Sequence, residues 1–274
     1  MTNNTNLIKA KQAKNDEFYT LLPDIEKELS YYVQYLKGKV IYCNADSEYS
    51  NFWKYFTSNF HTLQLKRLIA TSYNAGNGLM IEYDGKQVTK KLLVGNGSFD
   101  SPECTAILEQ ADIIITNPPF SLFRHYIDTI KKKDFLVIGS INAVAYSNVF
   151  KLFQDSKVVL GYNNVTNFIT SNNTVRHVNN CYWFTTLPVL KSELILTKKY
   201  NATDYPTYDN YPAINVNKVA DIPKDYTGGA MGVPITFLTK YSNNNKFRLL
   251  DRINPYINGK QLYKRLIIQH NDNN

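Results

Sequence analysis

Ala111-Asp112-Ile113-Ile114-Ile115-Thr116-Asn117-Pro118-Pro119-Phe120 carries an apolar run of strand character into an asparagine and two prolines. Neither strand nor helix continues through such a pair, because each proline removes a backbone donor and fixes φ. The residue before a proline is also driven out of the helical region, so the strand must end in a rigid, extended turn. That turn presents the Asn117 side-chain amide, the Pro118 main-chain carbonyl and the Phe120 ring. Two oxygen acceptors beside an aromatic plane suit an exocyclic NH2 group and the base that bears it. A plain strand-to-helix connection, leading into a helix over residues 122–132, would use the same residues. An Asn/Asp/Ser-Pro-Pro-aromatic tetrad nevertheless arises by chance in roughly one chain of this length in a hundred. Its place at a strand end matters too, since ligands of open α/β sheets bind there.

On the N-terminal side, the pattern predicts a helix from Asp24 to about Leu36, with Ile25, Leu29, Tyr32, Val33 and Leu36 on one side and Gly38 ending it. A strand over residues 39–43 then opens into the polar loop from Asn44 to Glu48. A helix follows from Ser50 to Phe60, with Phe52, Trp53, Phe56 and Phe60 inward, and then a strand over residues 67–71. Asp84-Gly85 marks a hairpin within residues 79–94, and residues 102–110 read as a helix. Beyond the tetrad come a strand at 135–139, a helix at 148–154 and strands at 157–161 and 181–186. This alternation predicts an α/β fold, a mostly parallel sheet with helices on both faces, over residues 1–187. From residue 188 to 274 the pattern changes: an irregular stretch at 200–226 precedes short strands at 235–238, 247–250 and 265–269. That C-terminal region reads equally as an irregular flap or as a surface facing nucleic acid.

The 274 residues carry a formal charge of +8, a mild excess that suits a polyanionic partner. Twenty-one tyrosines and many asparagines are compatible with nucleic-acid contacts, although an A·T-rich coding genome produces the same bias. Cys43, Cys104 and Cys181 are widely spaced, with no CxxC or Cys/His spacing, so reduced thiols and no metal are expected. No apolar run is long enough to span a bilayer, so no membrane partner and a cytoplasmic location are expected. The start, residues 1–6, is polar.

Asn117-Pro118-Pro119-Phe120 resembles the motif of S-adenosylmethionine-dependent amino-group methyltransferases, and its surroundings narrow the resemblance. Residues 14–20, Ser101-Pro102-Glu103-Cys104, the stretch from Asn117 to Arg124, residues 232–238 and Tyr256-Ile257-Asn258-Gly259-Lys260 are similar to the EcoRI-type adenine-specific DNA methyltransferases, in family order. The resemblance implies a Rossmann-like class I methyltransferase core. It implies S-adenosyl-L-methionine as cofactor, and double-stranded DNA as partner, with an adenine flipped out of the duplex for methylation at N6. A restriction-modification or phage setting goes with it, while the recognised sequence and oligomeric state stay open.

For the site, the resemblance implies Asn117 and Pro118 as acceptors for the amine, Pro119 as the rigid turn and Phe120 as the stacking platform. Phe18, Tyr19 and Thr20 resemble the segment that lies over the methionine end of the cofactor. No glycine-rich loop follows the first strand; Asn44, Asp46 and Glu48 stand there instead, able to bind ribose hydroxyls or the ammonium, or to cap the next helix beside Ser47 or Ser50. Ser98 and Phe99 occupy the segment that would meet the cofactor's adenine. The family tends to carry an acid where this chain has Ser98, with Asp100 close by, which implies weaker cofactor binding than in relatives. Candidate DNA contacts are Lys218, Lys240, Arg248, Arg252, Lys260 and Lys264, together with Lys224 and Arg265. The alternatives are an RNA adenine methyltransferase, a protein-glutamine methyltransferase, or a catalytically weak DNA- or cofactor-binding relative.

Overall fold

The computed structural model describes residues 18–242 and 246–271; the polar start and the Lys14–Glu17 part of the N-terminal block lie outside them. The chain divides into two compact units, Met1–Ala143 with Gly161–Pro188, and Val144–Leu160 with Val189–Asn274. A single cut at residue 188 therefore misses one segment: Val144–Leu160 joins the C-terminal unit.

The first unit runs β1 (Phe18–Thr20), α1 (Leu22–Leu29), α2 (Val33–Leu36), β2 (Val40–Cys43), α3 (Asn51–Asn59), β3 (Arg67–Ser72), β4 (Leu79–Tyr83), β5 (Val88–Leu92), α4 (Pro102–Gln110), β6 (Ile113–Thr116), α5 (Phe123–Ile130) and β7 (Asp134–Ser140). After α6 (Ser147–Gln154), which belongs to the second unit, β8 (Val159–Thr170), from Gly161 onward, and β9 (Val175–Thr185) return to it. One nine-stranded sheet has the order β1-β8-β9-β7-β6-β2-β3-β4-β5.

Only the centre, β7-β6-β2-β3, is parallel; β4 and β5 on one side, and β9 against β7 and β1 against β8 on the other, are antiparallel. The sheet is thus mixed rather than mostly parallel. The connection from β4 to β5 is a tight turn, and tight turns can join only antiparallel neighbours. The parallel strands β2 and β6 are buried along their whole length, as expected of strands covered on both faces.

Ser50 caps α3 by accepting from Trp53 N, and Ser101 caps α4 by accepting from Cys104 N. Helix α5 buries Phe123, Tyr126, Ile127 and Ile130, the i, i+3, i+4, i+7 face that docks it on the sheet. All three cysteines are free and buried.

The predicted helix over residues 24–36 is instead two helices broken at residues 30–32, and Val33 is exposed while Ile25, Leu29, Tyr32 and Leu36 are buried. Tyr31 and Tyr32 both pack on the Tyr162 ring, at 4.0 and 5.7 Å. A continuous helix would send adjacent side chains about 100° apart, so it must break there. Glu28 fixes the same corner. It is fully buried and accepts from Tyr162 N, Asn163 N, Asn163 Nδ2 and Tyr32 Oη at 2.8–3.1 Å. Glu28→Ala strands two backbone donors and a hydroxyl, and is expected to cost about 3 kcal/mol. A lower urea midpoint with an unchanged m value would report it.

The second unit holds α6 and a four-stranded sheet of order β10 (Ala213–Asn215), β11 (Ala230–Pro234), β15 (Arg265–His270), β12 (Phe247–Ile253), plus the small pair β13 (Tyr256–Ile257) and β14 (Lys260–Gln261). Residues 200–226 are largely irregular as expected, apart from β10 and two short 3-10 turns. The strand expected at 235–238 is a 3-10 helix, Ile235–Thr239, and the strand lies just before it. Pro234 ends that strand, for the reason Pro118 ends β6. The strand expected at 157–161 runs on to Thr170, because polar Asn and Thr residues there alternate without an apolar face to signal them.

Candidate functional site

From β2 the chain steps to β3 on one side and later to β6 on the other, so the strand order reverses between β2 and β6. Clefts at such a reversal, beyond the C-terminal strand ends, are where open α/β sheets bind ligands. Asp46 follows β2 there, and Thr116 ends β6. The Thr116 hydroxyl donates to Asp46 Oδ2, tying the two strand ends together.

Asn117 comes next. Its Nδ2 donates to the Phe18 carbonyl at 2.5 Å, which fixes the amide's orientation, since only the NH2 end can face a carbonyl. Asn117 Oδ1 is thereby turned the other way, and it is buried with no partner among the described residues. A buried acceptor without a donor is costly in isolation and implies a ligand that supplies one. Pro118 is buried, and Pro119 continues extended (φ −57°, ψ 125°) before a short 3-10 turn, Phe120–Leu122, hands the chain to α5. The helix expected over 122–132 is correspondingly shorter. Half-buried Phe120 packs with Phe18 at 5.7 Å and edge-on with Phe168 at 5.8 Å; Phe18 and Phe168 complete the trio at 5.7 Å. Strand β1 is held in place by pairing with β8, Phe18 opposite Thr170 and Thr20 opposite Phe168. Neither Phe168 nor the part of β8 beyond residue 161 stood out in the sequence, because an Asn/Thr-rich strand gives no periodic signal.

The polar loop after β2 is built into the same end of the sheet. Asp46 is only 8 % exposed, and burial pushes its pKa up to about 6, partly offset by hydrogen bonds from Thr116 and Ser50. Asn44 is buried, its Oδ1 accepts from Tyr126 Oη of α5 at 2.6 Å, and its Nδ2 has no partner among the described residues. Burial holds the Tyr126 hydroxyl protonated, so it stays a donor and fixes which end of the Asn44 amide faces it. Thr20 Oγ1 is a third buried atom without a described partner. Tyr19 is exposed.

Glu48 stands apart from this group: its carboxylate pairs with Lys90 of β5, which holds its pKa below the usual range. Helix capping falls to Ser50, not to Asp46 or Glu48. Gly97 has φ +75°, and a Cβ there would strike the Ser72 carbonyl at the end of β3, so glycine lets this loop close against the strand. Beyond it Ser98 Oγ donates to Asp100 Oδ1 at 2.5 Å, and Asp100 Oδ2 meets His125 Nε2 of α5 at 2.8 Å. The Ser98 and His125 contacts lower the Asp100 pKa. Phe99 is buried edge-on against Tyr126 at 5.0 Å.

The basic residues named in the second unit do not form one cluster among the described contacts. Arg252 is engaged internally: Nε donates to Ala145 O at 2.9 Å, Nη2 to Ser147 Oγ at 2.8 Å, and the guanidinium lies 4.9 Å from the Phe150 ring centre. It ties β12 to α6, and a base-reading role does not fit it. Arg248 donates to Gln269 at 2.6 Å on the surface; Lys218, Lys224, Lys240 and Lys260 are exposed or partly so, and Lys264 and Arg265 are half-buried. Among the described residues no group of His, Cys, Asp or Glu could hold a metal, and no helix is long and apolar enough to cross a membrane.

Comparison with known proteins bears on the whole chain. The family model for "Adenine-specific methyltransferase EcoRI" matches residues 6–84 and 79–273. The type II methyltransferase M.EcoRI of Escherichia coli is 43 % identical across 96 % of each chain. M.MpnI of Mycoplasma pneumoniae is 37 % identical across 97 % of this chain and 98 % of its own, and M.MgeORF184P of Mycoplasma genitalium 38 % across 95 % and 97 %. These alignments span 312 to 315 positions against 274 residues here, so the relatives carry segments this chain lacks. No solved structure matches.

Proposed function

The chain belongs to the EcoRI family of adenine-specific methyltransferases, and from that premise we propose that it methylates N6 of a specific adenine in double-stranded DNA, with S-adenosyl-L-methionine as donor. The observation that carries the reading is Asn117 Oδ1, buried with no partner among the described residues, three residues before Phe120. Adenine N6 is a poor nucleophile because its lone pair is delocalised into the ring. Asn117 Oδ1 and the Pro118 carbonyl hold its two protons, favour the pyramidal nitrogen and stabilise the positive charge that develops on it. Phe120 stacks on the base, which must leave the duplex to reach the strand end.

The residues present fit the cofactor's polar end. Asp46 offers a buried carboxylate to an ammonium or to ribose hydroxyls, Asn44 Nδ2 an unused donor to a carboxylate, and Thr20 Oγ1 either. Phe18, Tyr19, Ser98 and Phe99 are assigned to the remainder, and Glu48, committed to Lys90, is the weakest candidate. The cofactor supplies an electrophilic methyl group on a sulfonium. The protein holds the amine in line with it and excludes water. The second unit, with Lys218, Lys240, Arg248, Lys260 and Lys264, is assigned contacts to the DNA backbone.

The test is transfer of label from S-adenosylmethionine to unmethylated duplex DNA, with RNA as competing substrate. Labelled DNA supports the reading. Labelled RNA alone would move the substrate, and no transfer to either would refute the activity.

A further inference from the structure

The ladder between β7 and β9 covers only Leu136–Ser140 against Cys181–Thr185, with Ser140 opposite Cys181. Residues 175–180 of β9 therefore project beyond the C-terminal end of β7, the end of the sheet at which Asn117 stands. The overhang is six residues, about 20 Å of extended chain. It forms a ribbon with β8, closed by a turn in which Thr170 N donates to Thr174 O at 2.9 Å and Asn173 takes φ +56°. Near its turn the ribbon rests on the aromatic trio: β8 supplies Phe168, two residues before its end at Thr170, which packs on Phe120, and Arg176 of β9 lies 5.3 Å from the Phe18 ring centre. Because β6 lies on the β7 side of β9, the edge of residues 175–180 left unpaired by β7 borders the space beyond Asn117.

The chemistry of this ribbon is one-sided. Residues 162–180 hold seven asparagines, three threonines, Arg176 and His177, and no acid. Residues 171–177, 179 and 180 are exposed. The His177 ring meets Asn167 of β8 through Nδ1 at 3.2 Å and Asn179 of its own strand through Nε2 at 2.9 Å, which gathers three polar side chains on one exposed patch.

We infer that the β8–β9 ribbon is a DNA-contacting element that grips the duplex beside the target adenine, an inference that rests on the function proposed above. With β1 paired along the outer part of β8, the turn at residues 171–174 and the β9 edge that β7 leaves unpaired are the parts presented to the duplex, and a major groove about 12 Å wide admits such a turn. Asparagine amides pair with base edges, and a segment with a cation and no carboxylate meets phosphates without repulsion. Arg176, beside Phe18, offers a cation to a phosphate of the target strand.

The experiment uses the full chain, S-adenosylmethionine and a duplex library of random sequence, read by steady-state kinetics and base-resolved sequencing. The combined variant Asn167→Ala, His177→Ala, Asn179→Ala is expected to raise KM for DNA at least tenfold or to relax the methylated sequence context. Its kcat at saturating DNA stays within twofold and its cofactor affinity is unchanged. A second variant, Asn172→Asp with Asn173→Asp, places acids on the exposed turn and is expected to raise KM for DNA in the same way, more at low salt than at high. Unchanged KM and context in both variants, with the parent protein active, overturn the ribbon's role and leave the activity standing. A parent protein that methylates no member of the library overturns the activity and the ribbon's assigned partner together.

Discussion

Asn117→Ala lowers the rate of methyl transfer at saturating DNA by at least a thousandfold while the dissociation constant for S-adenosylmethionine stays within threefold. The size follows from what is lost. Removing one preorganised polar group aimed at developing charge costs about a hundred- to a thousandfold. Here the same substitution also removes the hydrogen bond to the Phe18 carbonyl, while pairing with β8 keeps β1 in place and with it the cofactor affinity. Asn117→Asp separates the two effects. It keeps an acceptor toward the base but sets a carboxylate oxygen against the Phe18 carbonyl, where the amide NH2 stood at 2.5 Å. Two acceptors cannot share that distance without a proton. The Asn117→Asp variant is therefore expected to be nearly as inactive as Asn117→Ala at neutral pH, and to recover partly as pH falls. Single-turnover transfer, with cofactor affinity measured separately, checks both variants. Equal turnover in Asn117→Ala would remove Asn117 from the site.

Asp46→Asn weakens S-adenosylmethionine binding about a hundredfold, the loss of a buried charge-assisted contact worth about 3 kcal/mol. The folded protein itself is not weakened. Asp46 has a pKa of about 6 in the fold against an ordinary 3.8, because burial disfavours its charge. The folded chain therefore holds a proton that the unfolded chain releases between those values. Asp46 thus makes its most favourable contribution to folding below about pH 4, and loses about 3 kcal/mol of it as pH rises through 6. An asparagine at this position does not titrate, so the Asp46→Asn variant is expected to be at least as stable as the parent at pH 7.5. Cofactor binding runs the other way: an ammonium needs the ionised carboxylate, so affinity falls about tenfold per pH unit below 6 and is flat above 7. Calorimetric titration from pH 5 to 8 reads this directly, with proton release on binding below pH 6. A flat profile, or unaltered binding in Asp46→Asn, would leave Asp46 a purely structural partner of Thr116.

The parts of this molecule that were legible in the sequence share a physical cause. Strands β2 and β6 are short, predominantly apolar and punctuated by turn residues, and α5 repeats its apolar face at helical spacing, so their burial is written in their composition. Asn117, Pro118, Pro119 and Phe120 were legible because two prolines at a strand end leave few conformations. What was not legible depends on contacts distant in sequence. The break at residues 30–32 exists because Tyr162 accepts two tyrosine rings. The bond from Asn117 to Phe18 crosses 99 residues. The length of β8 and β9 is set by pairing with each other and with β1, not by an apolar stripe. Arg252 looked like any other surface cation, and only the neighbouring Phe150, Ala145 and Ser147 show it to be part of the packing.

The central claim is that Asn117 and Phe120 present adenine N6 to a methyl donor, and nucleoside mass spectrometry of duplex DNA treated with labelled S-adenosylmethionine tests it most directly. The expected result is label in N6-methyladenine alone, lost in Asn117→Ala. Label in a methylated cytosine, or N6-methyladenine formed equally by the variant, would contradict it.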